Sequence, residues 1–275
     1  MRVHWVLGDS VRIHEAWLSG VLLLGVVAKA GFGQEFKPGH LYVPSRSGDI
    51  VEWRPDLVET RRFRVEGTVE GTSGAAFNTR GNLVFLGFEA GYLRLYESDA
   101  SGAVRQSYKT GERFLGAGAQ VAYDRQRNIY AFANRSRVTM LDGDFNLIGH
   151  SEYGIMDRVS GLEFWEDDRI IATDLDEGRL TVLNPDLSVQ KRIDLPGWAN
   201  AGLTRISENE FVYAETLPGG LNIVDVLSGE VRPLTSSTFR FLNDVESLPG
   251  GDLVAIVEGT ELLRFSSHGD LLSRS

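Results

Sequence analysis

The chain contains no cysteine, which excludes disulfides, thiol nucleophiles and zinc sites built on sulfur. Histidine is almost as scarce. Beyond residue 30 only His40, His150 and His268 occur, scattered along the chain and never at a metal-ligand spacing. No Gly-x-Ser-x-Gly elbow, phosphate loop or H-E-x-x-H pair is present, so serine-hydrolase, nucleotide and zinc-protease chemistry have no support. Basic residues are outnumbered, with Lys+Arg 28 against Asp+Glu 38 and a formal net charge of -10. Such a balance argues against a nucleic-acid partner, whose phosphates need a net basic surface. A membrane-spanning run is missing too. The apolar stretch AWLSGVLLLGVVA, Ala16 to Ala28, falls short of the roughly 20 residues that a spanning helix requires.

That stretch has a different reading. Arg2, Arg12 and His14 precede it and Ala28-Lys29-Ala30 follows it. A basic start, a short apolar run and an A-x-A step are the pattern of a secretory signal peptide, with cleavage expected after Ala30. Removing residues 1–30 takes away Arg2, Arg12, Lys29, Asp9 and Glu15, leaving 25 basic against 36 acidic groups. The expectation is an acidic, secreted or periplasmic monomer formed by one domain over residues 31–275, with no membrane span after cleavage.

Helical periodicity is absent after residue 30, and a strand repeat takes its place. Six times an apolar strand follows a polar or glycine-bearing turn, its first apolar residue falling at Leu41, Leu83, Ile129, Ile170, Phe211 and Leu253. The intervals are 42, 46, 41, 41 and 42. A period near 40 that carries strands is the signature of a β-propeller, each repeat being one four-stranded blade. Within the second repeat, Tyr92-Leu93-Arg94-Leu95-Tyr96 alternates with period two, as a strand with one buried face does. Turn residues stand where hairpins need them, as in Arg80-Gly81-Asn82, Asn184-Pro185-Asp186 and Gly250-Gly251-Asp252. The first repeat is incomplete, having strands two to four and little before them, although Gly33 to Lys37 offers a short innermost strand. The sequence therefore predicts an all-β, six-bladed propeller with a thin first blade, closed by packing that blade against the sixth.

The unit made of a turn with Gly-Asn-Leu, a polar loop, R-x-apolar-x-apolar and D-x-G resembles the NHL and gluconolactonase-like (SMP-30) group of six-bladed propellers. It is seen in TRGNLVFLGFEAGYLRLYESDASG and in LPGGDLVAIVEGTELLRFSSHGD. No blade ends in the Trp-Asp of WD repeats, and the combined double-glycine and paired-aromatic pattern of kelch repeats is absent. In such rings the usual site is the mouth of the central channel. Aligned at the start of the innermost strands are Ser73-Gly74, Ala119-Gln120, Ser160-Gly161, Ala201-Gly202 and Asn243-Asp244. The last, followed by Val245, is similar to the N-D-V step at which gluconolactonase-like and paraoxonase-like propellers hold a central divalent cation. The resemblance implies calcium on Asn243 and Asp244, with Glu70 as a third ligand and Asn200 as a further substitute. Calcium needs six to eight oxygens, so this pair alone does not suffice. The competing reading is that both side chains satisfy backbone amides at the loop-to-strand step.

Two other sets belong to the mouth. Glu89, Asp174, Asp176, Glu177, Glu215 and Glu258 follow second strands and read as turn closure with a solvated acidic rim. Arg113, Arg158 and Arg240 enter inner strands beside Phe114, Val159 and Phe241, and Trp198 stands in the matching loop of the fifth blade. Arginine beside aromatics suits an anionic or planar ligand or a protein partner. The leading expectation is thus a cofactor-free scaffold that binds a small-molecule ligand or a protein through Arg113, Arg158, Trp198, Arg240 and Phe241. The alternative is a calcium-dependent lactonase or esterase using Asn243, Asp244 and Glu70.

Overall fold

The computed structural model describes residues 35–45, 47–67, 72–113, 119–217, 219–239, 241–257 and 261–275. The segment read as a signal peptide lies outside them. Blade one holds β1 (Leu41–Pro44), β2 (Asp49–Trp53) and β3 (Glu59–Arg64); blade two holds β4 (Thr72–Phe77), β5 (Leu83–Glu89), β6 (Tyr92–Ser98) and β7 (Val104–Arg113). Blade three comprises β8 (Ala119–Asp124), β9 (Ile129–Asn134), β10 (Arg137–Asp142) and β11 (Leu147–His150). Blade four comprises β12 (Val159–Phe164), β13 (Ile170–Asp174), β14 (Arg179–Leu183) and β15 (Val189–Asp194). Blade five is β16 (Trp198–Arg205), β17 (Glu210–Leu217), β18 (Gly220–Asp225) and β19 (Val231–Pro233). Blade six is β20 (Leu242–Ser247), β21 (Leu253–Val257), β22 (Glu261–Phe265) and β23 (Leu271–Arg274). All pairings are antiparallel and sequential, as in a propeller.

The repeat anchors explain why the blades stack. Leu41, Leu83, Ile170, Phe211 and Leu253 open their second strands almost wholly buried, whereas Ile129 is half-buried. Apolar faces of successive blades then merge. One cluster joins Tyr42, Phe77, Phe85, Leu95, Tyr130 and Phe132 across blades one to three. Hairpin turns are closed by short polar side chains: Asp99 accepts from the Ser101 amide (2.8 Å), Asp142 from Asn146 (2.8 Å) and Asp225 from Ser228 (2.8 Å).

Blade one has three strands, and β1 occupies the second-strand place. Glu35–Lys37, part of the stretch offered for an inner strand, is not a strand. Phe36 instead drops into the core, edge-on to Tyr42 and Phe77 at 4.9 Å each. Backbone chemistry gives a reason. The Ser45 amide donates to Asp49 (2.8 Å), so Ser45, Val43 and Leu41 face β2 while Tyr42 and Pro44 face the inner edge. Proline has no N–H, and it is tolerated at such an edge because no ladder bond is needed there. Closure comes from side chains: Leu41 and Leu57 pack with Leu248, Val254, Ile256 and Leu262 of blade six, and Arg264 Nη1 donates to the Pro55 carbonyl (3.1 Å).

Candidate functional site in the central channel

Four of the five described inner strands carry a β-bulge at the same level. The register shifts between Ser73 and Ala75, between Val159 and Gly161, between Ala201 and Thr204, and between Leu242 and Asp244. These are the positions aligned from sequence, and only Ala119-Gln120 pairs without a shift. A bulge inserts one residue and re-aims the side chains beside it. Here it lets inner strands approach so closely that a Cβ on Gly161 would lie 2.8 Å from the Gly202 carbonyl oxygen. Gly202 itself, at φ +62, leaves room for the Asp244 carboxylate, which a Cβ at this position would strike.

From this level onward the channel forms a half-open cavity of about 160 Å³ walled by Ala75, Phe77, Gln120, Leu203, Glu163, Asp244 and Glu246, among others. Asp244 is 5 % exposed, and its Oδ1 accepts from the Val245 amide (2.9 Å). Gln120 Nε2 donates to the Ser160 carbonyl of the next inner strand (3.0 Å). Glu163 and Glu246 are half-buried and line the cavity. Burial pushes the Glu163 carboxyl up to about 7, the Arg205 charge and the Phe164 amide opposing it only in part. Glu246 is raised well above the usual carboxylate range, first by burial and then by the charges of Glu163 and Asp244. The Thr204 hydroxyl, 3.5 Å away, and the Ser247 amide offset little of this. An environment that spreads carboxyl affinities in this way can hold a proton or a positively charged group in a confined space.

The other residues singled out from sequence are distributed as follows. Arg113 ends β7, exposed, with its guanidinium 5.8 Å from the Tyr92 ring. Arg158 precedes β12 and is ion-paired with Asp176. Phe241 precedes β20 half-buried at φ 54, and Trp198 opens β16. Arg158, Trp198 and Phe241 stand where inner strands begin and so share one mouth, whereas Arg113, expected at the entry to an inner strand, ends the outermost strand of blade two. Arg240, Glu70 and Glu258, and the side chains of Trp198 and Asn200, lie outside the described residues. Asn243 is the extra residue of the sixth bulge and half-buried. Among the described residues no group of three His, Cys, Asp or Glu side chains is placed to hold a metal ion.

The acidic rim closes turns. Asp174, fully buried, accepts from the amides of Asp157 (2.7 Å), Asp176 (3.0 Å), Arg158 (3.3 Å) and Glu177 (3.3 Å). Glu89 pairs with Arg94 (3.0 Å) and Glu177 with Arg179 (2.9 Å). Sequence reasoning missed Glu163 and Glu246. Their signal is a period of two from the aligned bulge positions, Gly161-x-Glu163 and Asp244-x-Glu246, which places each on the channel side of its strand. It also missed a cluster between blades two and three, where Glu112 is ion-paired with Arg137 and accepts from Tyr153 (3.0 Å) while the Arg137 guanidinium lies 4.3 Å from the Tyr153 ring.

Ring, bulged inner strands and polar channel define a six-bladed β-propeller of the kind that serves both binding proteins and enzymes. No protein-family model matches the chain, and no curated protein matches it. Solved structures do. The WD40 β-propeller domain of Doa1 superposes with a TM-score of 0.69 at 12% identity, over 94% of this chain and 82% of that one. Virginiamycin B lyase from Staphylococcus aureus gives a TM-score of 0.67 at 11% identity, over 95% and 85%. A protein of unknown function from Bacteroides caccae gives 0.66 at 12%, over 86% and 93%. At these identities the likeness is one of fold. Among the described residues no helix is long and apolar enough to cross a membrane.

Proposed function

We propose that this protein is an exported propeller of the NHL/gluconolactonase-like (SMP-30) type that binds a small ligand or a protein partner through the mouth of its central channel. The observation that supports it is the convergence of Glu163, Asp244 and Glu246 on one cavity walled by inner strands, at whose starts Arg158, Trp198 and Phe241 stand, with Arg113 at the outer rim of blade two. Loops from separate blades are fixed around one axis, so a ligand meets binding groups that are already ordered. Export implies that the intact mass of the secreted protein begins at Gly31; retention of residues 1–30 would contradict that part of the reading.

A calcium-dependent lactonase or esterase at the same place is the second reading. It draws on the position of Asp244, almost buried on the cavity wall, where an ion would polarise a carbonyl oxygen or an attacking water. Thermal unfolding in EDTA and in millimolar calcium separates the two. A ligand that binds only the native state raises the melting temperature by mass action. The scaffold reading expects no calcium shift in wild type or in Asp244→Ala. A shift in wild type that disappears in Asp244→Ala would replace it with the metal-dependent one.

A further inference from the structure

We propose that blade two carries a second binding site, for a small aromatic carboxylate, at the upper end of β6 and β7 beside the β5–β6 hairpin. A cavity of about 280 Å³ lies here, bordered by Glu89, Tyr92, Leu93, Arg94, Lys109 and Gly111 among others. It shares no wall residue with the channel cavity, so the proposal does not need the channel to bind anything.

The opening comes from a break in the ladder. Tyr92 pairs with Arg113 and Arg94 with Lys109, so Thr110, Gly111 and Glu112 stand opposite Leu93 alone. Thr110 pins this bulge: its hydroxyl donates to the Leu93 carbonyl (2.8 Å) and accepts from the Glu112 amide (3.1 Å), while Gly111 takes φ +73. A bulge re-aims the side chains beside it, and one fixed by its own hydrogen bonds leaves the space between them already formed.

Charge and shape then select the ligand. Residues opposite each other across a ladder share a face, as do residues two apart along a strand. Glu89 pairs with Tyr92, so Glu89, Tyr92, Arg94, Lys109 and Arg113 belong to one face of the blade. Three cations there meet one carboxylate, in a chain whose net charge is -10. Glu89 is taken by Arg94 (3.0 Å). Lys109 and Arg113 are exposed, and among the described residues neither has a carboxylate partner. Like charges directly across a ladder repel, and Arg94 and Lys109 are such a pair, so an anion bound between them relieves a strain that the free protein carries. The Tyr92 ring walls the cavity and is 47 % exposed, with the Arg113 guanidinium 5.8 Å from its centre. That ring offers a flat apolar surface which an aromatic ligand covers and a bare inorganic anion does not.

The test is an NMR titration of the ¹⁵N-labelled protein with benzoate, run beside cyclohexanecarboxylate, benzamide and inorganic phosphate. Benzoate is expected to shift the amides of Gly91, Tyr92, Lys109 and Gly111 saturably, with a dissociation constant of about 1 mM or below. Cyclohexanecarboxylate has the charge without the flat ring and benzamide the ring without the charge, so each should bind several-fold more weakly, as should phosphate. Lys109→Gln should weaken benzoate about 10-fold, and Tyr92→Ala should bind benzoate and cyclohexanecarboxylate alike. Arg62→Gln, the same loss of charge at an exposed position of blade one, should leave benzoate binding unchanged. Lys109 and Tyr92 are both exposed, so neither change removes core packing. No saturable shift at these amides below about 10 mM overturns the proposal. So does a wild-type benzoate constant equal to that of any of the three other compounds, or one that Lys109→Gln leaves unchanged.

Discussion

Replacing Glu97 with alanine is expected to destabilise the protein by about 3–5 kcal/mol, a loss of roughly 8–12 °C in melting temperature for a domain of this size. Glu97 is 1 % exposed. Its carboxylate accepts from Arg80 through Nε (3.1 Å) and Nη2 (2.8 Å), from Asn78 Nδ2 (2.9 Å), from Asn82 Nδ2 (2.6 Å) and from Gln106 Nε2 (2.5 Å). Alanine removes the common acceptor and leaves several donors without it, and unpaired buried polar groups bear their full desolvation cost. The damage extends to the next blade. Asn78 also donates to the Tyr130 hydroxyl (3.0 Å), and Arg80 and Gln106 both donate to the Gly143 carbonyl (2.8 and 3.2 Å). Amide exchange should accordingly speed up at the seam between blades two and three. Denaturant unfolding checks the magnitude. A Glu97→Ala change below about 1 kcal/mol would show that this network is not structural.

Gly202→Ala should be nearly as costly, at about 3–4 kcal/mol. The residue sits at φ +62, where a side chain costs about 1–2 kcal/mol by itself. A Cβ would also lie 2.7 Å from both Asp244 Cα and the Val245 nitrogen, which are backbone and cannot swing away. Overpacking of that kind adds typically 1–3 kcal/mol. Gly91 is the internal control: at φ +76, with nothing within 4 Å of the place a methyl would take, its alanine variant should show the conformational cost alone. Equal melting temperatures for the two variants would contradict the close approach of blades five and six at the channel.

The ring was readable because a propeller writes itself into sequence as a period. Leu83, Ile170, Phe211 and Leu253 each follow a turn and begin a second strand that neighbours cover on both faces, so their apolar character is forced by packing. The channel was readable only at its upper level. Gly74, Ser160, Gly202 and Asn243 align because close backbone approach and a bulge favour residues that are small or form local hydrogen bonds. One level below, Glu163 and Glu246 look like ordinary strand residues facing water. That they wall one cavity depends on ring closure, which brings blades four and six to one axis and which no local pattern encodes. The first blade failed differently. Gly33 to Lys37 has the length of a short strand, but Phe36 gains more from the Tyr42 and Phe77 rings than an edge strand against Pro44 would return. At the mouth, Arg158 is already engaged by Asp176, while Arg113 lies out on the end of β7 with its guanidinium 5.8 Å from the Tyr92 ring, a separation no local pattern signals.

The central claim is that binding occurs at the channel and its mouth. It is tested most directly by thermal-shift screening of a panel of organic cations, sugars, lactones and short peptides against wild type, Arg113→Ala and Glu163→Gln. Compounds that raise the wild-type melting temperature are predicted to lose most of that shift in at least one of the two variants, because Glu163 walls the channel cavity and Arg113 stands on the rim of the ring. Compounds that stabilise all three proteins equally would place binding elsewhere on the ring and contradict the account.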